Sequence, residues 1–80
     1  MAHRSNQFVV CGKIVSRAQW LRPQYERQPL CRLIRDIEWL RLSAADPHAR
    51  EQDRVVSCVH LGVARAEMLR RAQDRAWRLA

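Results

Sequence analysis

The chain is short of glycine. Gly12 and Gly62 are the only two in 80 residues, so few points can take a left-handed backbone. The three prolines, Pro23, Pro29 and Pro47, all fall in the first 47 residues. Residues 46–80, with Pro47 at the opening where a helix tolerates it, are therefore the longest stretch without a strong interior helix breaker, and Gly62 is its one interior glycine. Cysteine is sparse and odd in number: Cys11, Cys31 and Cys58 are widely spaced, which argues against a disulfide framework. No Cys-x-x-Cys and no Cys/His pair has zinc spacing. Cys58-Val-His60 comes nearest, and reads as a helix-core cysteine beside an outward histidine. The thiols are expected to be reduced and buried, in a cytoplasmic protein.

Long apolar runs are also missing. The run from Phe8 to Val15 is interrupted by Cys11-Gly12-Lys13. It is too weak for a signal peptide and too short to span a bilayer, so no membrane association is expected. His3, His48 and His60 are scattered. There is no glycine-rich phosphate loop, no carboxylate pair on an apolar face and no Ser/His/Asp arrangement. Eighty residues in a mostly helical pattern leave little room for a concave pocket. The expectation is a protein that is not an enzyme, with no cofactor, no metal and no small-molecule substrate.

What is present is basic charge, unevenly spread. The formal net charge is +7. Residues 1–35 hold seven basic side chains against Glu26 alone, a balance of +6; residues 36–80 hold eight arginines against seven acids, a balance of +1. Such a half suits an acidic partner, either an acidic protein surface or nucleic acid. Fourteen of the fifteen basic residues are Arg. With the abundant alanine, that is the coding habit of a GC-rich genome, which makes each single arginine less telling.

Residues 1–7 read as a polar, flexible tail. Residues 8–15 fit either a short extended segment bent at Gly12 or the entry to a helix. A lone strand there would need a copy of itself in a dimer to pair with. Ile14, Ala18, Leu21 and Tyr25 share one helical face. Ser16 and Gln19 match a capping box. Pro23 should end that helix, giving helix over 17–22 and an irregular or single-turn piece to Gln28. Pro29 in the first helical position opens the next helix, expected over 29–43. Leu30, Leu33, Ile34, Ile37 and Leu40 form its core stripe. Cys31, Trp39 and Leu42 fall on another flank, interleaved with Arg32 and Arg35. A helix apolar on two sides is sandwiched between two partners, and a rigid aromatic on the second side is a typical interface anchor. Trp39, Leu42, Arg35 and Arg32, with Trp20 from the preceding helix, are therefore the candidate partner surface.

Asp46 as N-cap and Pro47 as first residue predict a helix over 47–79. Acids lie near its start and arginines near its end, as the helix dipole favours. Asp46/Arg50, Glu67/Arg71 and Asp74/Arg78 are acid-before-base pairs at i,i+4. Apolar residues cover well over half of the circumference. The narrow polar arc (Asp53, Ser57, His60, Glu67, Arg71, Asp74, Arg75, Arg78) reads as the solvated face. An unbroken helix would run roughly 50 Å against about 22 Å for the 29–43 helix, at 1.5 Å per residue. Either it breaks near Gly62 and folds back, or a second chain covers the overhang. The second course is preferred, with Val55, Val59, Gly62, Ala66, Leu69, Ala76 and Trp77 as the dimer interface.

One stretch resembles a known motif. Leu61-Gly-Val-Ala-Arg-Ala-Glu-Met-Leu-Arg-Arg-Ala72 is similar to the second half of a helix-turn-helix of the Fis/response-regulator type, with residues 54–73 as the matching region. The resemblance aligns Gly62 with the turn glycine, puts Cys58 at the small-residue position and Val63 and Met68 at apolar positions. It implies that Arg65, Glu67, Arg70, Arg71 and Arg75 face DNA, some reading base edges and the rest holding phosphates. Arg71 stands where that family usually buries an apolar residue, and Ser57-Cys58 replaces the alanine expected before the turn.

The whole reads as a single all-α domain over 1–80: a helical hairpin with a long C-terminal helix and a short N-terminal helical or irregular segment, in a dimeric bundle. The expected function is a small regulatory binding protein, similar in character to phage- or mobile-element-encoded modulators, that masks an acidic host protein. The alternative is a dimeric DNA-binding regulator docking residues 63–78 in the major groove.

Overall fold

A computed structural model of the chain describes residues 7–10 and 13–79. Their order is β1 (Gln7–Val10), β2 (Lys13–Ser16), α1 (Arg17–Glu26), α2 (Leu30–Ala44) and α3 (Glu51–Leu79). The body is all-helical with a long C-terminal helix, and a small hairpin precedes it. The expected tail lies outside the described residues except for Gln7, which belongs to β1. The expected bend at Gly12 also lies outside them.

β1 and β2 pair antiparallel, from Gln7 opposite Ser16 to Val10 opposite Lys13. This corrects the expectation of one extended segment or a helix entry. The run is two four-residue strands that satisfy each other's backbone within one chain, so no second copy is needed for pairing.

Ser16 then caps α1. Its hydroxyl accepts from Gln19 N at 3.1 Å while Gln19 Oε1 accepts from Ser16 N at 2.9 Å. Contrary to expectation, Pro23 does not end this helix, which continues to Glu26. Proline removes one backbone hydrogen bond. Burial of Leu21 and Tyr25 on either side of it offsets that loss.

Pro29 is the N-cap of α2, not its first residue; its carbonyl accepts from Arg32 N and Leu33 N at 3.1 and 3.0 Å. The start of α3 also shifts. Asp46 does not cap a helix at Pro47: its Oδ1 accepts from His48 N at 2.9 Å, closing a local turn. Arg54 reaches back to donate to the Ala49 carbonyl at 2.8 Å and the Asp46 carbonyl at 3.1 Å. The helix opens only at Glu51 and then runs 29 residues, straight through Gly62. A Cβ built at Gly62 meets nothing within 4 Å.

α1 and α2 both pack chiefly on α3. The core is Leu21, Tyr25, Leu33, Leu40, Leu61 and Ala64, with Ile37, Ala44, Val59, Val63 and Met68 packed against it. Among the described residues it lies on one side of α3. The molecule is correspondingly thin, 47 × 36 × 17 Å, with a radius of gyration of 14.4 Å. A compact chain of this length would have about 11.6 Å. Its accessible surface, 6577 Å², exceeds the roughly 5,000 Å² expected of a compact monomer of this mass.

Candidate interaction surfaces

Two apolar faces are left uncovered. The first is the outer flank of α2. Arg32, Arg35, Trp39 and Leu42 follow one another at spacings of three and four, so they share one side of the helix. All four are exposed, Trp39 by 65% and Leu42 by 67%. Arg32 and Arg35 have no ion pair among the described residues, where the pairs are Arg41–Glu38, Arg70–Glu67, Arg71–Glu67 and Arg78–Asp74. The structure thus brings together four of the five residues assigned to a partner surface. Trp20 is exposed too, but on α1. Beside Trp39 lies an open groove of about 430 Å³, bounded also by Tyr25, Asp36, Asp53 and His60.

The second face is the outside of α3. Val55, Gly62, Ala66, Leu69, Ala76 and Trp77 are exposed, Trp77 by 80%, and Val59 is half-buried at the edge. At about 100° per residue this stripe lies opposite Ala64, the fully buried residue of the same helix. The inward side is more polar than expected. Of the arc assigned to solvent, Glu67 is buried, and Ser57, His60 and Arg71 are half-buried; only Asp53, Asp74, Arg75 and Arg78 are exposed.

Of the inward polar groups, Glu67, Arg71 and His60 have partners. Glu67 accepts from Arg70 Nε and Nη2, both at 2.8 Å, and from Arg71 Nε at 2.6 Å. Arg71 then donates through Nη2 to the carbonyls of Tyr25 (3.2 Å), Glu26 (3.3 Å) and Gln28 (2.6 Å). α1 has no basic residue in its last turn, so Arg71 supplies from α3 the positive charge that a helix C-terminus favours. The Tyr25 hydroxyl and His60 Nδ1 hydrogen-bond at 2.9 Å. Burial, with the nearby Asp36 charge second, raises the Tyr25 pKa. Burial, with Arg17 second, lowers that of His60, which favours the neutral imidazole.

The hydrogen bond from Arg70 is the largest influence on Glu67. With that from Arg71 it outweighs burial and holds the carboxyl at about 2, against an ordinary 4.5. Glu67 therefore releases its proton more readily when folded. Its contribution is full above pH 4.5 and lost as the pH falls through about 2. Urea unfolding across that window should show a loss on the order of 3 kcal/mol, at about 1.36 kcal/mol per pKa unit. In Glu67→Gln that acid limb should flatten; an unchanged limb would deny Glu67 this role.

The region that resembles a helix-turn-helix is helical throughout, with no turn at Gly62. Of its candidate DNA-facing residues, Arg65, Arg70 and Arg75 are exposed, Arg71 is half-buried and Glu67 buried. Cys31 and Cys58 are free and exposed, not buried: each sits on an outward side of its helix. Cys11 lies outside the described residues. Among the described residues no helix is long and apolar enough to cross a membrane, and no three His, Cys, Asp or Glu side chains cluster as a metal site would need. The Tyr25–His60 bond and the Arg71 clasp were not anticipated from sequence; their partners stand 35 and up to 46 residues apart. No protein-family model, curated protein or solved structure matches this chain.

Proposed function

We propose that the protein is a non-enzymatic regulatory binding protein that lays the outer flank of α2 over an acidic surface of another protein and so masks it, and that it works as a homodimer. The observation that carries this reading is the exposed Arg32–Arg35–Trp39–Leu42 face. Trp39 and Leu42 supply apolar anchors of the kind that dominate interface energies. Arg32 and Arg35 supply exposed positive charge that attracts an acidic partner and speeds encounter. The groove beside Trp39 offers a recess for a partner side chain. A modulator of a host protein needs no more chemistry than this.

DNA binding through Arg65, Arg70 and Arg75 is the competing reading, and one experiment separates the two. Wild type, Trp39→Ala and the Arg65→Ala/Arg70→Ala double variant are compared in gel shifts on random duplex at two salt concentrations and in partner capture from host extract. The proposal expects no retarded duplex, and a captured protein that Trp39→Ala loses and the arginine variant keeps. Salt-sensitive retardation that the arginine variant weakens and Trp39→Ala leaves intact would overturn it.

A further inference from the structure

The outer face of α3 carries a repeat of its own. From Val55 to Ala76 the steps alternate four and three, through Val59, Gly62, Ala66, Leu69 and Gln73. That is the spacing of a coiled-coil seam. All but Gln73 are apolar or small, and all but the half-buried Val59 are exposed. We propose that two copies of the chain pair along this seam with their α3 helices antiparallel, Gly62 of each copy facing Ala66 of the other. The proposal rests on the homodimer reading above and specifies its geometry.

Three observations support it. The first is area. The core leaves the outer side of α3 exposed from Val55 to Ala76, about 32 Å at 1.5 Å per residue, long enough for the roughly 800 Å² a stable interface takes from each partner. The second is the fit of the layers. With Gly62 facing Ala66, Val59 meets Leu69 of the other copy and Val55 meets Gln73. The twofold then passes beside residue 64, one residue from the midpoint of α3. The helices overlap almost completely, and the end bearing Trp77 reaches the level of Glu51 on the other copy. A parallel pair would instead face Gly62 with Gly62, leaving a gap, and Gln73 with Gln73. Gly62 has open space outside it, so a second backbone can approach closely.

The third is charge. Residues 51–64 of α3 hold Glu51 and Asp53 against Arg54, a balance of −1. Residues 65–79 hold five arginines against Glu67 and Asp74, a balance of +3. Antiparallel helices set +3 beside −1 and oppose their dipoles; parallel helices set +3 beside +3. One contact runs the other way. Arg65 falls next to the twofold and meets its own copy at the rim, a like-charge pair that salt screens.

The test uses the full chain with Cys11, Cys31 and Cys58 replaced by serine. Val55→Cys and Gln73→Cys variants are oxidised separately and mixed. Both positions are exposed, so neither substitution burdens the core. Only the mixture should form a disulfide dimer. Self-linked Val55→Cys shows parallel helices, and no link in the mixture shows a different register; either overturns this geometry while the homodimer stands. Light scattering at micromolar concentration tests the homodimer itself. Twice 9.4 kDa is expected, and a mass near 9.4 kDa sinks both readings. In the chain with its native cysteines, Gly62→Leu sets its Cβ in open space and should give a helical monomer. A Gly62→Leu dimer as tight as wild type would also overturn the close approach.

Discussion

Replacing Arg71 by alanine should destabilise the protein by on the order of 3 kcal/mol. One guanidinium binds the Glu67 carboxylate at 2.6 Å and three backbone carbonyls at the end of α1 and in the link to α2. Hydrogen bonds to a charged group contribute about 1.5–3 kcal/mol each, and not additively. The deletion also uncaps a helix C-terminus. In a domain of this size 1 kcal/mol moves the thermal midpoint by about 4–8 °C, so the shift should exceed 10 °C. Arg71→Lys should recover only part, because an ammonium cannot span carboxylate and carbonyls as a planar fork does. Thermal and urea melts at one fixed protein concentration measure it. A loss under about 0.5 kcal/mol would mean that the clasp does not form in solution. A double-mutant cycle with Glu67→Gln should be strongly non-additive, since the two side chains share one network.

Leu33→Ala should be comparably severe, at about 2–5 kcal/mol. Among the described residues Leu33 is the largest side chain with no solvent exposure, and it sits where α2 meets α3. A domain of this size has little stability beyond 5 kcal/mol to lose, so the variant should be partly unfolded at 37 °C. Leu30→Ala is the matched control. It removes the same atoms from the same helix at a half-exposed site and should cost under about 1 kcal/mol. Equal losses at the two positions would contradict the burial pattern described here.

What was legible in the sequence was local. α2 lies one residue later at each end than expected; the Ser16–Gln19 capping box and the Glu67/Arg71 and Asp74/Arg78 pairs are set by residues three and four apart, and each is found. So is the passage of α3 through Gly62: glycine in a helix costs about 1 kcal/mol, too little to break 29 residues. The failures have two sources. Some are local competitions that sequence rules resolve the wrong way. Pro23 is a helix breaker unless flanking residues are buried, and Asp46 can serve the nitrogen two residues on as readily as cap a helix. Val9-Val10 and Ile14-Val15 around a two-residue gap ending in Gly12 carried a hairpin signal that the helical alternative obscured.

The rest is non-local. α3 is apolar around most of its circumference, so periodicity could not say which side faces α1 and α2. The inward side is set by Leu61, Ala64 and Met68 together with Glu67 and Arg71, whose charges are neutralised by each other and by α1 carbonyls more than forty residues away. On the candidate site, the Arg32–Trp39–Leu42 face could be read from spacing alone, whereas the groove against Tyr25 and His60 needs three helices in place.

Both α1 and α2 rest on α3, which follows them in the chain. During synthesis this reverses the usual order, in which early segments fold while later ones are still being made. Leu21, Tyr25, Leu33 and Leu40 cannot complete their core until Leu61 and Ala64 have been made. The first two helices must therefore wait, exposed, for the last. The core then closes as one unit on α3.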